Sequence, residues 1–267
     1  MNDLKQKLIK SEKFGSGKSK FTFVVGLHGD EAAPVIAASE LKKIIGKSDL
    51  RGSFQIVYAN TQAIKEKKRF IEFDLNRCFP GRENGKFLEE KIAFQLVRDL
   101  KSSQFTFDFH ATDFSVTPYA LISVFNKQIE KILEQIGIRN ALFSSEESLI
   151  KYVANGVAIE VGQKDSIEAV EACLKIMLQV VNLFGICDKP LLLQEKKVRT
   201  FLIYRFLSKK GLVLDAAISD FKYVKKGQRI GWISGDTVVA TEGFYPVWVN
   251  FQERLLFSKR IKIYDED

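Results

Sequence analysis

An apolar run ending in glycine, FTFVVG at 21–26, precedes AAPVIAASELKKII, whose apolar positions recur at helical spacing. The pattern predicts a strand, a tight loop and a helix. A second strand, SFQIVYAN at 53–60, follows after about one helix length, and this alternation predicts a parallel sheet covered by helices. Residues 61–86 are charged, contain Pro80, Gly81 and Gly85, and hold no sustained period. They read as a long loop or irregular excursion, which in compact domains is usually functional or disordered. KFLEEKIAFQLVRDLKS at 86–102 is amphipathic at helical period, and FTFDFH at 105–110 alternates as a strand. YALISVF (119–125) and VAIEVG (157–162) read as further strands, and 126–137 and 166–184 as helices.

After Asp188, Lys189 and Pro190 the texture changes to short strand-like pieces separated by glycines: VRTFLIYRF, GLVLDAA, GQRIGWIS, TVVATEGFYPVWVN and LLFSKRIKIY. That pattern predicts a small antiparallel β unit, with a domain boundary between residues 188 and 189. The hairpin spacing loosely resembles a biotinyl or lipoyl carrier module. The hairpin tip reads Ser234, Gly235, Asp236, so it lacks the lysine that such a carrier modifies.

Composition narrows the class. The chain has 267 residues, 46% hydrophobic and 28% charged, close to soluble globular proteins and unlike disordered, collagenous or disulfide-scaffold chains. Cys78, Cys173 and Cys187 form no short pairing pattern and leave an odd thiol, which points to a reducing, cytoplasmic setting. The N-terminal MNDLKQKLIKSEKFGSGKSK has no signal-peptide core, and no stretch approaches the ~20 apolar residues of a membrane helix. Of the net charge of +8, +6 falls from Lys189 onward, with 15 basic and 9 acidic residues there against 26 and 24 before it. Those lysines are scattered, without aromatic platforms or a groove-reading helix. They read as a solvated surface, so neither nucleic acid nor membrane is expected as a partner.

The two histidines, His28 and His110, each lie at the C-terminal end of an apolar strand, where ligands bind in open α/β sheets. Either one alone reads as a buried core histidine. Glu31 follows His28 by three residues in the turn GLHGDE, and two imidazoles with one carboxylate are a common catalytic zinc set that leaves a fourth position open. Gly26 and Gly29 suit a backbone that turns sharply and leaves room for a ligand. Asp108 shares a strand face with His110 and is a candidate to orient it. Asp30 reads equally as a loop carboxylate without a role. Glu160 stands among apolar residues at another strand end, where a carboxylate is costly without a partner and where it could exchange protons with a metal-activated water. Arg69, Asn76 and Arg77 read either as a solvated charged loop or as groups that hold a substrate carboxylate and stabilise an oxyanion.

The set GLHGDE, DLNRCFPG, DFHAT and AIEVG, in this order, resembles the succinylglutamate desuccinylase and aspartoacylase family of zinc-carboxypeptidase-like hydrolases. The resemblance spans positions from about 24 to 162 and continues weakly into GFYPVWVN. It implies an α/β fold, a mixed or parallel sheet flanked by helices, with a small mostly β C-terminal domain (189–267) after a catalytic domain (1–188). It implies one zinc ion bound by His28, Glu31 and His110, Glu160 as general base, and Arg69 polarising the scissile carbonyl. By the same resemblance Asn76 and Arg77 grip a substrate carboxylate, and Tyr245 matches a tyrosine that the C-terminal domain contributes to the pocket; its other reading is a packed strand aromatic. Where aspartoacylases carry a substrate-binding arginine, this chain has Ile150 with Lys151 beside it. Lys151 is an imperfect replacement, since an ammonium lacks the bidentate fork, and N-acetylaspartate is therefore not the expected substrate. The short stretch between His110 and Glu160 implies trimmed loops and a more open site.

The expected activity is zinc-dependent hydrolysis of the amide bond of an N-acyl amino acid or a related carboxylate-bearing small amide. The alternative is a metallocarboxypeptidase acting on a peptide or cell-wall peptide. A non-catalytic binding protein on the same fold is disfavoured because every expected catalytic position is filled. The tail is expected to cap the site through Tyr245, gate entry or mediate oligomer contacts.

Overall fold

A computed structural model describes residues 8–46, 49–113, 117–187, 197–208, 211–249 and 254–261. The chain forms two compact units, Met1–Arg139 with Ser145–Val198, and Asn140–Ser144 with Arg199–Asp267. The sequence boundary between 188 and 189 lies outside the described residues.

In the first unit the parallel strands β2 (Ser19–Val25), β3 (Ser53–Tyr58), β4 (Phe105–Thr112) and β7 (Gly156–Gln163) form the body of the sheet. Antiparallel strands flank them, β1 (Lys10–Gly15) at the edge against β3 and β5 (Tyr119–Ile122) against β7. The run FTFVV is buried throughout, Thr22 included, because both faces of β2 are covered. Phe21 and Phe23 pack among Phe54, Phe107 and Phe184, where Phe184 closes α5 (Ile167–Leu183). Val24, Leu27 and Val57 instead meet Ile92, Leu96 and Leu100 of α3 (Leu88–Leu100).

Helix α1 (Ala32–Ile45) packs on α5 and buries Ala33, Ala37, Ala38, Leu41 and Ile45, a stripe at helical spacing whose alanines permit close approach. Pro34 falls in its first turn, where the missing N–H has no intrahelical acceptor. The expected irregular excursion at 61–86 contains a short helix, α2 (Thr61–Glu66), capped by Asn60 Oδ1 on the Ala63 amide, and a single 3-10 turn at Leu75–Arg77. Helix α4 (Lys127–Gln135) is capped by the Asn126 side chain.

In the second unit β8 (Arg199–Ser208) pairs with β6 (Asn140–Phe143) and with β13 (Arg254–Ile261), which pairs with β12 (Tyr245–Val247). A separate sheet joins β9 (Leu212–Leu214), β10 (Arg229–Ile233) and β11 (Asp236–Val239). The hairpin tip Ser234–Gly235 adopts φ of 50° and 91°, the left-handed pair that a two-residue turn requires. Ile218, Val224, Ile230, Phe244, Leu255 and Phe257 form this unit's core. Among the described residues no helix is long and apolar enough to cross a membrane.

Candidate functional site

Loops leaving the carboxyl ends of parallel strands are where such sheets bind ligands. Val25 ends β2 beside Phe109 of β4, and the next residue of β4, His110, lies in register with Glu160 of β7. His28 follows β2 by three residues, so topology gathers His28, His110 and Glu160 at the carboxyl ends of neighbouring strands. Gly26 makes the turn at φ of 65°, where glycine has no Cβ clash. Gly29 makes room for the protein itself and not for a ligand: a Cβ there would stand 2.0 Å from the Ala63 backbone carbon in α2. Its amide donates to the Arg69 carbonyl at 3.3 Å, joining two loops of the site.

Glu31, at the start of α1, sets its carboxylate between the imidazoles. Its Oε1 is 2.6 Å from His28 Nδ1 and its Oε2 is 3.1 Å from His110 Nδ1, while the Ala111 amide donates to Oε2 at 3.0 Å. The remaining ring nitrogens face other carboxylates, His28 Nε2 at 3.1 Å from Asp74 Oδ1 and His110 Nε2 at 2.9 Å from Asp108 Oδ2. His28, Glu31 and His110 are buried, and one donor atom from each lies within 4.8 Å of the others.

This arrangement fits a metal ion. Both Nδ1 atoms face the carboxylate they would share a cation with, and a carboxylate behind each Nε2 fixes the tautomer that leaves Nδ1 free to ligate. Glu31, Asp108, Asp74 and Glu160 concentrate negative charge in a largely enclosed place, which is costly unless a cation balances it. Asp108 Oδ1 and Glu160 Oε2 are buried and accept no hydrogen bond from the described residues. An N,N,O donor set is that of catalytic zinc.

The ionisation states follow from the same contacts. Burial opposes charging His110 and His28, yet Asp108 and Glu31 raise the first well above the usual imidazole range, and Glu31 and Asp74 raise the second. Burial likewise opposes the Glu31 and Asp74 carboxylates, but His110 and His28 hold Glu31, and His28 with Arg69 holds Asp74, far below the ordinary range. Glu160 is pushed up to about 7, first by burial; His110 and His28 oppose this, and Glu31 and Asp108 add to it.

Arg69 stands beside the trio, with Nε and Nη2 donating to Asp74 Oδ2 at 3.2 and 3.1 Å and Nη1 3.6 Å from Glu31 Oε1. Asn76 donates its backbone amide to Asp74 Oδ1 at 2.9 Å, and its own Oδ1 is buried without a partner among the described residues. Arg77 reaches Glu146 Oε2 at 3.1 Å, and Lys151 binds the Glu147 carboxylate and the Ser145 carbonyl. Both cations are thus engaged by one loop and not by the trio. Ile150 is buried. Lys164 bridges Asp30 and Asp113 at 3.0 and 2.7 Å, which gives Asp30 a place in an ion triad. Tyr245 belongs to the second unit, its ring 5.1 Å from those of Phe201 and Tyr223. Asp74 lies inside the quoted DLNR motif without a role assigned from sequence; its signal is a carboxylate five residues after Arg69 in the same loop.

A family model for the succinylglutamate desuccinylase/aspartoacylase catalytic domain matches residues 19–182. A curated succinylglutamate desuccinylase of Ectopseudomonas mendocina is 33% identical over 86 residues, 31% of this chain and 24% of the relative. The match thus spans about a quarter of that relative's length. Among solved structures, a succinylglutamate desuccinylase/aspartoacylase from Rhodobacter sphaeroides superposes with a TM-score of 0.75 at 16% identity, over 94% of this chain and 89% of that one. Murine aminoacylase 3 superposes with a TM-score of 0.69 at 20% identity, over 92% and 96%. At these identities the structural likeness establishes the fold.

Proposed function

Since the chain belongs to the succinylglutamate desuccinylase/aspartoacylase family, we propose that it is a zinc-dependent amidohydrolase that removes the acyl group from an N-acyl amino acid or a similar small, carboxylate-bearing amide. The observation that carries this reading is the buried His28, Glu31, His110 trio, backed by Asp74 and Asp108, at the strand ends that also hold the Glu160 oxygen, unpartnered among the described residues.

His28 and His110, through Nδ1, and Glu31 would hold one zinc ion. When bound, the metal supplies Lewis acidity that makes water nucleophilic near neutral pH and polarises a carbonyl. Glu160 takes the proton of the attacking water on its carboxylate and returns it to the departing nitrogen. The Arg69 guanidinium stabilises charge developing on the former carbonyl oxygen. Arg77 and Asn76 hold the substrate carboxylate. The exposed ion pair that Glu146 makes with Arg77 contributes only about 0–1 kcal/mol, so a substrate carboxylate displaces it readily. Lys151 adds positive charge but no bidentate fork, which together with Ile150 argues against N-acetylaspartate. A panel of N-acyl amino acids set beside peptides with free C-termini tests this: turnover is expected in the first group, and turnover confined to the peptides would make the protein a carboxypeptidase.

The proton inventory gives a second test. In the metal-free chain Glu160, His28 and His110 all bind protons more tightly folded than unfolded. Each therefore stabilises the fold fully below its unfolded pKa and loses that contribution as pH rises through its folded one, Glu160 between 4.5 and about 7 and the histidines from 6.5 upward. Zinc competes with the histidine protons. Between about pH 6 and about pH 8 the rise in Tm on adding zinc is expected to grow; a zinc effect that shrinks over this range contradicts the ligand set.

A further inference from the structure

Glu89 is fully buried in the first turn of α3 and takes no part in the chemistry above. Its carboxylate accepts hydrogen bonds from three consecutive backbone amides, Ile71 at 2.8 Å, Glu72 at 3.2 Å and Phe73 at 3.1 Å, and from Asn60 Nδ2 at 3.2 Å. The lock is reciprocal, because the Glu72 carboxylate accepts from the Leu88 amide at the start of α3. Those three amides form the middle of the segment whose two ends are Arg69 and Asp74. Asn60 extends the connection: it caps α2, and its amide donates to the Gly26 carbonyl in the loop that carries His28.

A buried carboxylate is retained against its desolvation cost only where strong hydrogen bonds satisfy it, and bonds to an ionised acceptor are stronger than neutral ones. The charge on Glu89 is met by aligned amides, which gives the 71–73 backbone one conformation. From there Asp74 reaches His28 Nε2, and Arg69 grips Asp74 through two nitrogens. We propose that Glu89 is a positioning residue that holds the Arg69–Asp74 segment in the shape that orients His28 for the metal and aims Arg69 at the oxyanion. This assignment rests on the zinc reading above.

Glu89→Gln keeps the volume but removes the charge and turns one acceptor into a donor facing amide donors. In the full chain, amide exchange at Ile71, Glu72 and Phe73 is expected to accelerate about tenfold or more, and the zinc dissociation constant to rise about tenfold, the lower end for residues behind a metal ligand. The cobalt-substituted variant is expected to show an altered visible spectrum, a readout that a purely structural role would leave alone. Where the variant fails to fold, the parent supplies the test: coupling is reciprocal, so adding zinc is expected to slow exchange at Ile71–Phe73. A parent that binds no zinc overturns the metal reading itself. A parent that binds zinc without protecting 71–73, or a folded Glu89→Gln variant with unchanged zinc affinity and cobalt spectrum, overturns the role of Glu89 alone.

Discussion

Glu160→Gln is expected to lower kcat by about 10²–10⁴-fold, the range for losing a general acid–base group, while zinc content stays that of the parent. Glutamine has the same shape and fits the same place on β7 beside His110, but it offers no proton acceptor of useful basicity. In the metal-free chain burial pushes Glu160 up to about 7. A bound cation nearby favours the ionised form and lowers that value. A general base acts deprotonated, so kcat/KM is expected to fall as pH drops below its working pKa, and that acid limb is expected to disappear in the variant. Steady-state kinetics on the substrate found by the panel, with metal analysis of the same samples, decides the matter. Activity within a few fold of the parent at full zinc content would falsify the assignment of Glu160.

Arg69→Ala is expected to cost about 10²–10³-fold in kcat, the usual loss for one oxyanion donor. KM is expected to change little, because an oxyanion donor acts on charge that develops in the transition state. Arg69 also holds Asp74 through two hydrogen bonds, so the alanine variant is expected to bind zinc more weakly as well. Arg69→Lys separates the two effects. It keeps the positive charge but not the fork, and at saturating zinc it is expected to recover part of the lost turnover. If the alanine variant, fully loaded with zinc, turned over like the parent, Arg69 would have no role at the oxyanion.

Much of the fold, and the meeting of His28, Glu31 and His110, was legible in the chain because the histidines sit where apolar runs end. FTFVV and FTFDFH are strands covered on both faces, so their boundaries stand out; His28 comes three residues after the first, and His110 is the last residue of the second. The small-residue stripe of α1 and the long period of α5 are equally plain. The missed elements lacked a burial pattern. β1, KSEKFG, is an edge strand with mostly exposed charged side chains, α2 is a six-residue helix inside a polar stretch, and β6 is only four residues long. Asp74 and Glu89 were obscured for a different reason. In sequence Asp74 is one more acid in a charged loop and Glu89 one more acid in a helical first turn. Their partners lie 46 residues away at His28 and 16–18 residues away at Phe73 to Ile71, and only the folded loop brings those groups together.

The central claim is that two imidazoles and one carboxylate share a metal ion. Metal analysis of the purified protein after zinc loading and desalting, beside His28→Ala treated identically, tests it without reference to any substrate. One zinc per chain is expected in the parent, with loss of most of it in the variant. A folded parent that retains no zinc, or a variant that retains as much as the parent, would contradict the account.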